Sequence, residues 1–143
     1  MLRADAIVAE ARRWVGTPWR HQASVKGVGC DCAGLVRGVA LNLGLADLDE
    51  AHPEAERFLN YSRNPQPRKM LGALNHFMHR VRPDAMQAGD VLLMRFDRDP
   101  QHLAILTDAG TIVHAASAYG AVAEHRLSSD WRARVTGVWR FRG

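Results

Sequence analysis

The chain has 143 residues, 47% hydrophobic and 24% charged, with a net charge of +4. That suits one domain, 1–143, with its own core; no apolar run reaches membrane-spanning length, and two cysteines rule out a disulfide scaffold. Arginine supplies all the basic charge except Lys26 and Lys69, scattered without a tract, so a solvated basic surface is the reading and no specific nucleic-acid binding is expected.

In chain order, residues 4–15 read as a helix with Ile7, Val8, Ala11, Trp14 and Val15 on one face, ended by Gly16-Thr17-Pro18. Residues 19–30 form a Gly-containing loop. Residues 32–43 repeat Leu35, Val36, Val39, Ala40 and Leu43 at helical period, between Asp31 as N-cap and Gly44 as stop. Residues 46–66 are polar, with prolines at Pro53 and Pro65, and open an irregular or helical excursion over about 46–84 that includes a short helix near Glu54–Leu59. Pro67 starts a further helix with Met70, Leu71, Leu74, Phe77, Met78 and Val81 on one face, stopped at Arg82-Pro83. Strands are expected at 91–96, 102–107, 111–116, 121–127 and 135–141, with a helical turn capped at Ser128-Ser129-Asp130. Helices first and strands afterwards give an α+β fold, N-terminal helices packed on an antiparallel sheet.

The chemistry concentrates at Asp31-Cys32. A cysteine in the first turn of a buried helix meets free N–H groups and the positive end of the dipole, which favour a thiolate. Candidate bases lie downstream. If Asp108-Ala109-Gly110 is a three-residue hairpin loop, Thr107 faces Thr111, Ala104 faces His114 and His102 faces Ala116. His102 and His114 then share a face as diagonal neighbours, and a loop one residue shorter or longer separates them. Cysteine, base and a group that orients the base are the parts of a thiol hydrolase.

Four blocks in order carry a resemblance: Trp14-Val15-Gly16-Thr17-Pro18-Trp19, Asp31-Cys32-Ala33-Gly34-Leu35-Val36, Ala88-Gly89-Asp90-Val91-Leu92, and His102-Leu103-Ala104-Ile105 with His114-Ala115. From about Ala9 onward the chain resembles the NlpC-type cell-wall cysteine peptidases, whose core is papain-like. The resemblance implies nucleophile Cys32, base His102 and orienting residue His114, with no metal or cofactor. The implied substrate is the peptidoglycan stem peptide, often at the bond from γ-D-glutamate to diaminopimelate. Trp19, His21 and Asp31 are the expected substrate-binding residues.

Three departures stand out. Trp19 occupies a position that is often tyrosine in the family, Ala33 replaces a frequent serine, and Cys30 lies two residues before Cys32. Gly29-Cys30-Asp31-Cys32 with Thr17-Pro18-Trp19-Arg20-His21 resembles the branch carried by phage and gene-transfer-agent tails. That implies docking on tail or baseplate proteins and action at a virion tail tip. Helical sequence begins at once after Met1 with no signal-peptide pattern, which fits synthesis in the cytoplasm.

Blander readings stand beside these. Free cysteine is usually a buried small hydrophobe, and Cys30 reads as structural. His52, His76, His79 and His125 read as solvated, Asp90 as a turn or cap residue, and Trp131 and Trp139 as core. An amidase or acyltransferase with the same triad, or a tail protein with a vestigial site, are the alternative functions.

Overall fold

The computed structural model describes residues 3–45, 67–96 and 99–142. Helix α1 (Arg3–Arg12) and helix α2 (Cys32–Leu43) flank a short hairpin of β1 (Ser24–Val25) and β2 (Gly29–Cys30). Helix α3 (Pro67–Phe77) runs directly into β3 (Met78–Val81). Then follow β4 (Val91–Phe96), β5 (Asp99–Leu106), β6 (Thr111–Ala116), β7 (Ala121–Arg126), the short helix α4 (Ser129–Arg132) and β8 (Val135–Phe141). The sheet is antiparallel, in the order β3-β8-β4-β5-β6-β7. This is the α+β architecture that the pattern implied. The expected short helix near Glu54–Leu59 and His52 lie outside the described residues.

Helix α2 forms because nearly every position is apolar and both ends are satisfied. Asp31 Oδ1 accepts from the N–H of Gly34 at 2.8 Å, and Gly44 takes the left-handed conformation that frees its N–H for the carbonyls of Ala40 and Leu41. Cys32 through Ala40 are all buried, as suits a helix hydrophobic on all sides. The strands bury both faces. Leu103, Ile105, Val113 and Ala115 point toward the cluster that holds α1, α2 and α3, while Ala104, Leu106 and Ile112 alternate into a second cluster with Leu92, Met94 and Val138.

Three expectations are corrected. The third helix ends at Phe77, and Met78–Val81 is an edge strand paired with β8, Met78 opposite Phe141 and Val81 opposite Val138. Apolar residues three apart fit a helix or a twisted strand, and the open edge of β8 decided it. The first helix tightens past Arg12 into i→i−3 turns, which keep Trp14 in the core but turn Val15 outward, 46% exposed. The supposed loop 19–30 contains the β1–β2 hairpin.

Gly34 is wedged under that hairpin: a Cβ there would drive into the backbone carbonyl oxygen of Ala23. Backbone cannot step aside as a flexible side chain can. Gly34→Ala should therefore cost about 3 kcal/mol, read as a lower denaturation midpoint in urea; an unchanged midpoint would show that the hairpin is not clamped against α2.

Candidate active site

The hairpin register is the one required for the histidines. Ile105 lies opposite Val113 and Leu106 opposite Ile112, and the N–H of Thr107 donates to the carbonyl of Thr111 at 2.9 Å. His102 and His114 therefore project from one face, and His102 Nε2 lies 2.6 Å from His114 Nδ1. His102 is 3% exposed and His114 is fully buried.

The row continues further than the sequence suggested. On β7, Ala123 lies opposite His114 and His125 opposite Ile112. His125 is thus a second diagonal neighbour of His114, and the Nε2 atoms of the two rings are 2.7 Å apart. Reading His125 as a solvated residue is corrected: it is half-buried, and its Nδ1 lies 3.0 Å from the carbonyl oxygen of Arg126. The signal was available, because extending the pairing across the turn before Gly120 puts alanines, Ala104 and Ala123, on both sides of His114. Aromatic rings close the row: Phe96 at 5.4 Å from His102, Trp131 at 5.1 Å from His114 and 4.6 Å from His125, and Tyr119 at 5.7 Å from both.

Burial first, then the neighbouring imidazoles His114 and His125, push the pKa of His102 down to about 3. Burial and then His125 push His114 down to about 4. Both rings rest neutral, since a second positive charge in a dry row has no solvent to screen it.

Cys32 begins α2 and is 8% exposed. Helix α2 packs on β5 and β6, the strands that bear His102 and His114. Its apolar cluster includes Leu103, Ile105, Val113 and Ala115, the residues that alternate with the imidazoles. The structure joins His102 directly to His114, and the helix that Cys32 opens packs on the same two strands. Asp31, 2% exposed, shapes the approach: besides capping α2, its Oδ2 accepts from the N–H of Gln22 at 2.6 Å, holding Gln22 at a positive φ of 59°. Trp19 is half-buried with its ring 6.5 Å from that of His21, and its backbone N–H donates to the carbonyl of Gly120. This stitches the loop before Cys32 to the turn before β7.

Cys30 is fully buried in β2, and burial, then the Asp31 carboxylate, push its thiol up to about 12. It stays protonated, which suits a structural residue. Asp90 accepts from the N–H of Gln87 and makes a two-point ion pair with Arg140 at 2.8 and 2.9 Å, so it is a turn residue and also an anchor for β8. His76 and His79 are exposed, as expected. Trp139 is core, and Trp131 is half-buried over the histidines. Among the described residues, no helix is long and apolar enough to cross a membrane.

No curated protein matches this chain in sequence. Among solved structures it is similar to the NlpC/p60 domain of the peptidoglycan hydrolase SagA (21% identity, TM-score 0.64, 98% of this chain and 100% of that one). A Bacillus cereus NlpC/P60 family protein gives 17% identity and TM-score 0.66, over 98% of this chain but 40% of that one. RipD from Mycobacterium tuberculosis, described as a non-catalytic NlpC/p60 domain protein adapted to peptidoglycan binding, gives 14% identity and TM-score 0.62 over 99% and 98%. These likenesses show the fold. The NlpC/P60 family model matches residues 16–140, which span the capped cysteine and every strand of the imidazole row: the chain belongs to the NlpC/P60 family.

Proposed function

We propose that this protein is a peptidoglycan endopeptidase that cleaves a stem-peptide amide by thiol catalysis with Cys32, His102 and His114. The observation that carries the reading is the buried, neutral His102–His114 pair on the two strands against which the capped helix opened by Cys32 packs. A protein that only binds the wall has no need of two imidazoles kept dry at the expense of their solvation. In the proposed reaction His102 takes the Cys32 proton as the thiol meets the amide carbonyl. The backbone N–H of Cys32 stabilises the oxyanion. The protonated His102 then protonates the leaving amine, and water activated by the same ring hydrolyses the thioester. His114 holds the His102 ring in place.

The bond from γ-D-glutamate to diaminopimelate is the proposed site of cleavage. Trp19 and His21, next to the loop that Asp31 holds, are the proposed substrate contacts. RipD gives the second reading, peptidoglycan binding without cleavage. Cys32→Ala separates them: hydrolysis of purified peptidoglycan should vanish while the circular dichroism spectrum is kept. Alkylation of the wild type should stop the reaction and a metal chelator should not. Hydrolysis that survives in Cys32→Ala would refute the nucleophile, and a wild type that binds peptidoglycan without cutting it would favour the RipD-like role.

The depressed imidazoles set the pH dependence. Unfolded histidines titrate near 6.5, and these rings in the fold titrate near 3 and 4. Between those limits the unfolded chain binds more protons, so stability rises with pH and is lost as pH falls from about 6.5 toward the folded values. The melting temperature should drop steadily from pH 7 to pH 4, and less so in His114→Asn. The acid limb of kcat/KM, measured where the protein stays folded, should lie below the ordinary imidazole range; a midpoint near 6.5 would contradict a dry base.

We further propose that the enzyme works at a phage or gene-transfer-agent tail tip. The support is the resemblance of Gly29-Cys30-Asp31-Cys32 and Thr17-Pro18-Trp19-Arg20-His21 to that branch. Mass spectrometry of particles purified from the producing cell should find this chain in them. Its presence only in the particle-free fraction would defeat the tail placement and leave the hydrolase reading intact.

A further inference from the structure

We infer that His125 is a positioning residue that sets which nitrogen of the base carries the proton. The argument starts at the outer end of the row. A backbone carbonyl only accepts, so the Arg126 oxygen 3.0 Å from His125 Nδ1 places a proton on that nitrogen. In a neutral ring the other nitrogen, Nε2, is then an acceptor. His114 Nε2, 2.7 Å away, must donate to it, which leaves His114 Nδ1 as an acceptor. His102 Nε2, 2.6 Å from that atom, must donate in turn. The only lone pair left at the inner end is on His102 Nδ1. One main-chain carbonyl thus fixes three tautomers, and it prepares His102 to accept a proton at Nδ1 rather than at Nε2.

Without His125 the last constraint is gone. His114 can turn its proton to Nδ1 and donate to His102 Nε2, which moves the His102 proton onto Nδ1, the nitrogen that must be bare. This inference rests on His102 being the general base of the proposed peptidase, but the tautomers themselves can be read without any activity.

The experiment uses the full chain and two variants. His125→Leu removes the acceptor and keeps bulk. His125→Gln puts an amide oxygen where the ring nitrogen accepted. Nitrogen-15 NMR of the histidine side chains should show His102 protonated at Nε2 and bare at Nδ1 in the wild type and in His125→Gln, with a tautomer mixture in His125→Leu. Peptidoglycan hydrolysis by His125→Leu should fall at least about tenfold in kcat with KM little changed, since a misplaced tautomer damages the chemical step, and His125→Gln should recover most of it. A wild-type His102 bare at Nε2 would overturn the inference. So would a His125→Leu protein with unchanged kcat, or equal losses in both variants with the His102 tautomer intact, which would mean packing alone. A wild type that cuts nothing yet shows the tautomer switch would overturn the peptidase reading and leave the relay standing.

Discussion

The candidate site depends on strand register at β6. Side chains alternate every residue, so a slip of one position between β5 and β6 would send His102 and His114 to opposite faces. The three-residue turn at Asp108–Gly110 holds the register, with the Thr107 and Thr111 hydroxyls 2.6 Å apart and the Thr111 hydroxyl donating to Glu124 at 2.6 Å. Arg12 on α1 reaches Glu124 at 3.2 Å and Asp108 at 3.3 Å, but both pairs are partly exposed and weak. The stronger constraint is the core itself, because a slip would also put Leu103, Ile105, Val113 and Ala115 on the wrong side of the sheet.

Within that register, composition finishes the site. His114 sits between Ala104 and Ala123 on the neighbouring strands, and only small residues leave room for imidazoles to approach along the diagonals. Larger neighbours would bury the rings apart and strand their nitrogens without partners, a cost of about 1–3 kcal/mol for each unsatisfied group. The linked row avoids this by letting each ring satisfy the next, ending on main chain. Cys30 and Cys32 show the same economy of placement: two residues apart, one is sealed in a strand as a neutral thiol and the other opens a helix.

Much of this was legible in the sequence because local signals agreed with the tertiary result. Helix α2 was bounded by its own caps, Asp31 and Gly44, and β4, β6 and β8 by short apolar runs between turn residues. The His102–His114 pairing followed once Asp108–Gly110 was taken as a three-residue loop. What escaped was decided by partners remote in sequence. Met78 and Val81 continue the apolar spacing of α3, and only the free edge of β8 makes them a strand. Val15 belongs to the α1 stripe until the chain tightens after Arg12. His125 looks like one polar residue among Glu124 and Arg126; its role needs the register of a third strand and a carbonyl that no side-chain pattern reveals.

The indole of Trp131, packed 4.6 Å from the ring of His125 and 5.1 Å from that of His114, has a consequence of its own. An excited indole passes an electron readily to a protonated imidazole and poorly to a neutral one. A proton arriving anywhere along the outer two rings therefore dims the light emitted by this tryptophan. The fold has placed an optical gauge of the row's charge beside it, held by the Ser128 cap that fixes α4.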